Sequence, residues 1–147
     1  MSTQNSPDRV NVFTAGNTGR VDVAASVGST AMAMYIYDIS PGGGAFPYHY
    51  EHVEEWLLVV DGTVAVRTPN GELTLGRGDI VCFPPGPVGA HKVMNRSDAP
   101  ARFLMFSEVR TPAVSVYPDS DAVGVWPDDE TEFYFKRSSA ISRDDAL

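Results

Sequence analysis

Cysteine is nearly absent from this chain: its 147 residues contain only Cys82, in the middle of Asp79-Ile80-Val81-Cys82-Phe83-Pro84. A lone thiol has no partner for an internal disulfide, so a reducing compartment is the natural setting, and Cys82 reads as a small buried hydrophobe. Long apolar runs are missing too. None approaches the roughly 20 residues that cross a bilayer, and the start, MSTQNSPDRV, has neither the basic beginning nor the apolar core of a secretory signal. The expectation is a soluble cytoplasmic protein. Basic residues are few, 11 Lys and Arg against 19 Asp and Glu for a net charge of -8, and they are scattered. Such a surface repels a phosphate backbone, which argues against nucleic acid and anionic membrane as partners. Internal repeats, low-complexity tracts and any capped segment with a sustained 3.6-residue apolar period are also absent.

What remains is a chain of one-domain size built from short extended segments. Residues 1 to 9 are polar and read as a frayed start, leaving 10 to 147 as a single domain. From Arg9 to Ser29, alternating apolar and polar residues between glycines read as two short strands joined by a turn. Ala31 to Ile39, apolar on both faces, reads as a strand covered on two sides. Pro41-Gly42-Gly43-Gly44 breaks the chain. Phe46 to Glu51 and Glu55 to Val60 are the next strands, and Asp61-Gly62 is a tight hairpin signal. Further strands follow over Thr63–Thr68, Glu72–Leu75, Asp79–Phe83, His91–Asn95, Ala101–Glu108 and Ala113–Tyr117. Residues 119 to 147 form a carboxy-terminal extension, acidic and turn-rich from Asp119 to Glu132. Glu132 to Arg137 fits either a late strand or a short helix across a barrel mouth. About ten short strands at this spacing specify an all-β fold, an antiparallel double sheet closed or nearly closed into a barrel.

Only three histidines are present, and two of them fall in organised surroundings. On a strand, His49 and Glu51 project to one face while Tyr50 and His52 project to the other. Glu55 opens the following strand on the face of Leu57 and Val59, where a carboxylate is costly to bury without a cation or donors. His91 follows a Pro/Gly-rich bend and shares a face with Val93 and Asn95. If the two hairpins lie side by side, His49, Glu51, Glu55 and His91 converge on one divalent cation; two imidazoles and two carboxylates suit iron, manganese, nickel or zinc. Taken singly, a His or Glu near a turn is more often a solvated side chain than a ligand, and Glu54-Glu55 also reads as an ordinary exposed acidic pair. His52 is the reserve ligand should Glu51 not bind.

Gly43, His49, Glu51, Glu55 and Gly62, with six residues between the last two, resemble the first motif of the cupin family. Gly78, Pro84, Gly86, His91 and Asn95 resemble the second, with the bend before His91 two residues longer than the family pattern unless Pro87-x-Gly89 is taken as its equivalent. The resemblance spans roughly residues 30 to 110, and its wider run is similar to small single-domain bacterial cupins. It implies a jelly-roll barrel, one central metal ion and frequent homodimers. Where the family has its second histidine this chain has Glu51, which either changes the ligand set to two and two or leaves metal binding to serve as a general base.

The leading expectation is a metal-dependent enzyme acting on a small organic molecule, of dioxygenase, isomerase or lyase type. A small-ligand-binding or sensory barrel and a metal-free, epimerase-like acid/base enzyme are the alternatives. Tyr37, Phe103 and Met105 lie on strands flanking the site and are pocket candidates, with ordinary core packing as the competing role. Trp56, next to Glu55, should face away from it. A homodimer is expected, with Val21 to Val27 as a strand able to add to a neighbour's sheet.

Overall fold

Gly and Pro punctuate the chain every few residues, and strands fill the intervals. The computed structural model describes residues 8–16, 19–128 and 130–147; the frayed start expected over residues 1 to 9 lies outside them for residues 1–7. Twelve strands follow in order: β1 (Gly19–Asp22), β2 (Met32–Ile39), β3 (Tyr50–Glu51), β4 (Glu55–Asp61), β5 (Thr63–Thr68), β6 (Gly71–Gly76), β7 (Ile80–Phe83), β8 (Lys92–Met94), β9 (Ala101–Glu108), β10 (Ala113–Tyr117), β11 (Ala122–Trp126) and β12 (Phe133–Lys136). Among the described residues, two single-turn α-helices, α1 (Val23–Ser26) and α2 (Arg143–Ala146), and three 3-10 turns, Pro87–Gly89, Pro118–Ser120 and Arg137–Ser139, complete the regular structure. No helix among the described residues is long and apolar enough to cross a membrane.

All pairings are antiparallel. One sheet runs β1-β2-β9-β4-β7, and two smaller ones run β6-β5-β8 and β12-β11-β10-β3. His49 and His91 exchange both backbone hydrogen bonds, at 3.1 and 2.8 Å. That single bridge stitches β3 to the start of β8, so the two smaller sheets form one continuous layer facing the five-stranded sheet. The fold is a double-sheet jelly roll. Between the layers lies the main core of Ile39, Leu57, Val59, Val64, Val66, Phe83, Val93, Ala101, Phe103 and Met105. A second cluster, around Ile36, Val60 and Leu104, covers the outer face of the five-stranded sheet beneath Val10, Val12 and Val23. The Asp61-Gly62 turn joins β4 to β5; Gly62 has φ of +75°, and an added Cβ would lie 2.6 Å from the Pro100 carbonyl oxygen. Only glycine fits there.

Several expectations need correction. Val21 to Val27 is not one strand. Val21 and Asp22 pair with Ile36 and Tyr35 of the same chain, and the Asp22 carboxylate then accepts the Ala25 N–H at 3.0 Å, capping α1 while Val23 and Ala24 bury themselves. Only the first part of the segment is extended, as β1 at the edge of the five-stranded sheet. No strand forms over residues 10–16, whose apolar side chains pad the outer cluster instead. Residues 119 to 132 contain a strand, β11, and of the two readings left open for Glu132 to Arg137 the strand is the one that forms, over Phe133–Lys136. Cys82 is half-buried rather than buried, with burial and the neighbouring Glu54 carboxylate raising its thiol pKa.

Candidate metal centre

The site forms at the stitch between the sheets. Because His49 and His91 are cross-strand partners, their side chains leave the same face, and their ring centroids lie 4.9 Å apart. Glu55 reaches them from the opposite layer. On β4 it shares the inward face of Leu57 and Val59, and its register partners are Ser107 and Phe83. Its Oε2 lies 3.7 Å from His49 Nε2 and 3.8 Å from His91 Nε2. Three donors on two layers thus face one point, all within 4.8 Å of one another.

Local hydrogen bonds fix which nitrogen each ring presents. His49 Nδ1 is 3.0 Å from the Pro47 carbonyl and His91 Nδ1 is 2.9 Å from the Gly89 carbonyl. A carbonyl only accepts, so each Nδ1 carries the proton and each neutral ring turns its Nε2 lone pair inward. In both cases the carbonyl belongs to the residue two positions before the histidine, in the bend that leads into it. Aromatic rings wall the site: Phe46 stands edge-on to both imidazoles at 5.0 and 5.6 Å, Phe83 stacks on His91 at 3.8 Å, and Tyr117 lies beside His49 at 5.9 Å.

Burial sets the electrostatics. Desolvation, with a smaller contribution from the Glu51 charge, pushes the Glu55 carboxyl pKa up to about 8. It pushes His91 down to about 4, helped by nearby His49, and lowers His49 as well. All three groups are therefore held neutral at pH 7 when nothing else is bound. Spacings of 3.7 and 3.8 Å are too long for hydrogen bonds, and His91 Nε2, fully buried, has no partner among the described residues. A cation ~2.1 Å from each donor asks for donor separations of roughly 3.0–3.4 Å. Small rotations would supply that closure, so the residues fit a divalent ion.

Residues 35–107 match the family model described as Cupin domain, and both motifs lie where the fold needs them. The chain belongs to the cupin family. Its structure resembles that of a sugar phosphate isomerase from a cupin superfamily of Silicibacter pomeroyi, with TM-score 0.77 and 24% identity over 86% of this chain and 82% of the other. It also resembles a putative sugar phosphate isomerase of Acidithiobacillus ferrooxidans, with TM-score 0.76 and 21% identity over 84% and 78%. In sequence it is 25% identical over 89 residues to the tetracenomycin polyketide synthase protein TcmJ of Streptomyces glaucescens, covering 60% of this chain and 58% of that protein. The cupin thus spans under two thirds of the curated relative it matches.

Within this cupin, Glu51 is not among the three converging donors. It shares the inner face with His49, but its Oε1 accepts a hydrogen bond from Ser115 Oγ at 2.8 Å, and its carbonyl accepts from Gly86 N at 2.7 Å. His52 is exposed, its ring against Tyr50 on the other face. Phe103 and Met105 belong to the core, while Tyr37 is half-buried, stacked on Phe103 and edge-on to Phe46. Burial raises the Tyr37 pKa, and the Glu55 and Glu51 charges add to it. Trp56 faces outward, stacked on Phe106. Asn95 is structural: its Nδ2 donates to the Ile39 and Ala99 carbonyls and its Oδ1 accepts from the Ser97 N–H and Oγ–H. Sequence reasoning missed Phe46, Ser115 and Tyr117. Alternation in Ala113-Val114-Ser115-Val116-Tyr117 was the available signal, a polar face on a strand whose other face is apolar.

Proposed function

We propose that this cupin is a metal-dependent enzyme that moves a proton on a small organic molecule, an isomerase- or lyase-type reaction, at a mononuclear divalent site held by His49, Glu55 and His91. The observation that carries the reading is His91 Nε2, buried, unpartnered and aimed at Glu55. A buried nitrogen with nothing to bond is costly, and a ligated cation removes that cost. A bound divalent ion would supply Lewis-acid polarisation of a substrate oxygen.

The chain's own groups do the rest. The Pro47 and Gly89 carbonyls hold each imidazole in one orientation. Phe46, Phe83 and Tyr117 keep water from the inner side. Glu51, held by Ser115 yet not among the converging donors, is positioned to accept a proton from substrate at Oε2, the oxygen that Ser115 leaves free. The names of the relatives, sugar phosphate isomerase and polyketide synthase protein, are compatible with proton-transfer chemistry on a polyoxygenated molecule. A homodimer remains part of this reading.

The test is metal content per chain by elemental mass spectrometry, on protein purified without a histidine tag, beside a His49→Ala/His91→Ala double variant. Near one equivalent of metal that disappears in the variant is the expected result. Wild type that stays metal-free after reconstitution with iron, manganese, nickel and zinc would sink the metalloenzyme reading and favour a ligand-binding barrel.

A further inference from the structure

The inner face that carries Glu51 continues away from the metal centre across three more strands. Directly opposed residues of antiparallel strands share a face, and the registers Glu51↔Ser115, Ser115↔Gly124 and Gly124↔Tyr134 make one row across β3, β10, β11 and β12. Tyr117 and Trp126 share this face two residues from the row in opposite directions along it, Tyr117 opposite Ala122 and Trp126 opposite Ala113. Gly124 makes this row unusual. A Cβ there would meet Trp126 Cη2 at 2.6 Å and Tyr134 Cε1 at 2.9 Å, so the missing side chain lets the indole settle onto the sheet. The two rings meet edge to face at 5.6 Å, and both turn their polar atoms to one carboxylate oxygen, Glu132 Oε2: Trp126 Nε1 at 3.2 Å and Tyr134 Oη at 3.3 Å. Tyr134 is nevertheless 57% exposed, and Trp126 is half-buried. A built aromatic surface thus stands open beside the catalytic face.

We infer that Tyr117, Trp126 and Tyr134 form a substrate-binding wall for a planar, uncharged, hydroxylated ring system, whose near end is presented to the metal centre. The inference rests on the proposed function for the position of that near end. Flat π-faces favour a flat ligand. Charge argues against a phosphate ester: the wall is edged by Glu51 and Glu132, and the cation on its face, Lys136, is committed to the Ser120 carbonyl at 2.6 Å. On the opposite sheet Arg20 lies 3.9 Å over the Tyr35 ring, a single cation where a phosphate dianion calls for several donors. Hydroxyl groups are matched by the acceptor oxygens of Glu51 and Glu132.

Calorimetric titration with 1,8-dihydroxynaphthalene and, separately, glucose 6-phosphate tests this on wild type, Tyr134→Ala and Tyr134→Phe, with metal content measured on each. Tyr134 is exposed on an edge strand, so its truncation leaves the core intact. We expect the diol to bind wild type more tightly than the sugar phosphate. Tyr134→Ala should weaken diol binding about fivefold to tenfold, the loss of one aromatic pair, and Tyr134→Phe should change it less than twofold, with metal content unchanged in both. Tighter binding of glucose 6-phosphate, or a Tyr134→Ala affinity equal to wild type, overturns the wall. Diol binding that follows this pattern in metal-free protein upholds the wall while removing the metal reading, so the two ideas fail separately.

Discussion

Metal-free protein should become less stable as pH rises from 6.5 to 8, and Glu55→Gln should abolish that loss. The unfolded chain ionises Glu55 near 4.5, whereas burial holds it protonated in the native state up to about 8. Between these values the native state carries one more proton than the unfolded state, so stability falls with rising pH. His91 works in the opposite sense: its native pKa of about 4 lies below the ordinary 6.5, and stability rises with pH between them. His49, also lowered, adds to that rise. Below pH 6.5 the histidines therefore offset Glu55 or outweigh it; above 6.5 only Glu55 remains of these three. At ~1.4 kcal/mol per pH unit, the stretch from 6.5 to 8 costs about 2 kcal/mol, or roughly 4–8 °C in Tm for a chain of this size. The assay is urea denaturation after exhaustive chelation at pH 6.5, 7, 7.5 and 8. Glu55→Gln keeps the volume and cannot ionise, so its stability should stay level across that range and exceed wild type by a margin that widens by about 2 kcal/mol. A wild-type profile flat from 6.5 to 8, or a Gln variant that falls in parallel with it, refutes the buried-carboxylate account.

Two further outcomes follow from other parts of the molecule. Asn95→Ala takes the side-chain donor from the Ile39 carbonyl and the acceptor from the Ser97 N–H in a position that is 1% exposed, while the Ala99 carbonyl keeps the Ser97 Oγ–H at 2.9 Å, and should cost about 2–4 kcal/mol in urea denaturation at one to three for each lost buried partner, partly relieved by local relaxation; a loss under 1 kcal/mol contradicts its structural role. Sedimentation velocity at micromolar concentration should return a homodimer, and only monomer would refute it.

The motif residues were legible because each has a chemical reason to stand where it does. Glu55 on the face of Leu57 and Val59 is conspicuous in sequence, since an inward carboxylate needs a partner. His49 and His91 are two of only three histidines. What could not be read was the setting of Glu51. Strand periodicity places it correctly on the inner face beside His49, but its hydrogen bond comes from Ser115, 64 residues away in sequence, and no local pattern reports that. Val21 to Val27 failed for a related reason: its alternation suits a strand, yet Asp22 caps a helical turn and tertiary burial of Val23 and Ala24 decides the outcome. The wall of β11 and β12 was hidden by the acidic composition around it, and by Gly124, whose role appears only once Trp126 and Tyr134 are seen to occupy the space of its missing side chain.

The His49–His91 bridge ties the site to the fold more closely than four ligands on separate loops would be tied. The same two residues that aim Nε2 at Glu55 also exchange the backbone bonds that join β3 to β8, so the seam cannot open without parting the imidazoles. Such a site is placed by the sheet before any ion arrives, and an ion need not organise it. The consequence runs in both directions. A divalent ion, if held by Glu55 on one layer and both histidines on the other, would cross-link the two layers and stabilise the folded state. The desolvated, unpaired trio of the metal-free state is then the cost of a pre-placed site, held in position by the core that includes Leu57, Val59, Phe83, Val93 and Phe103.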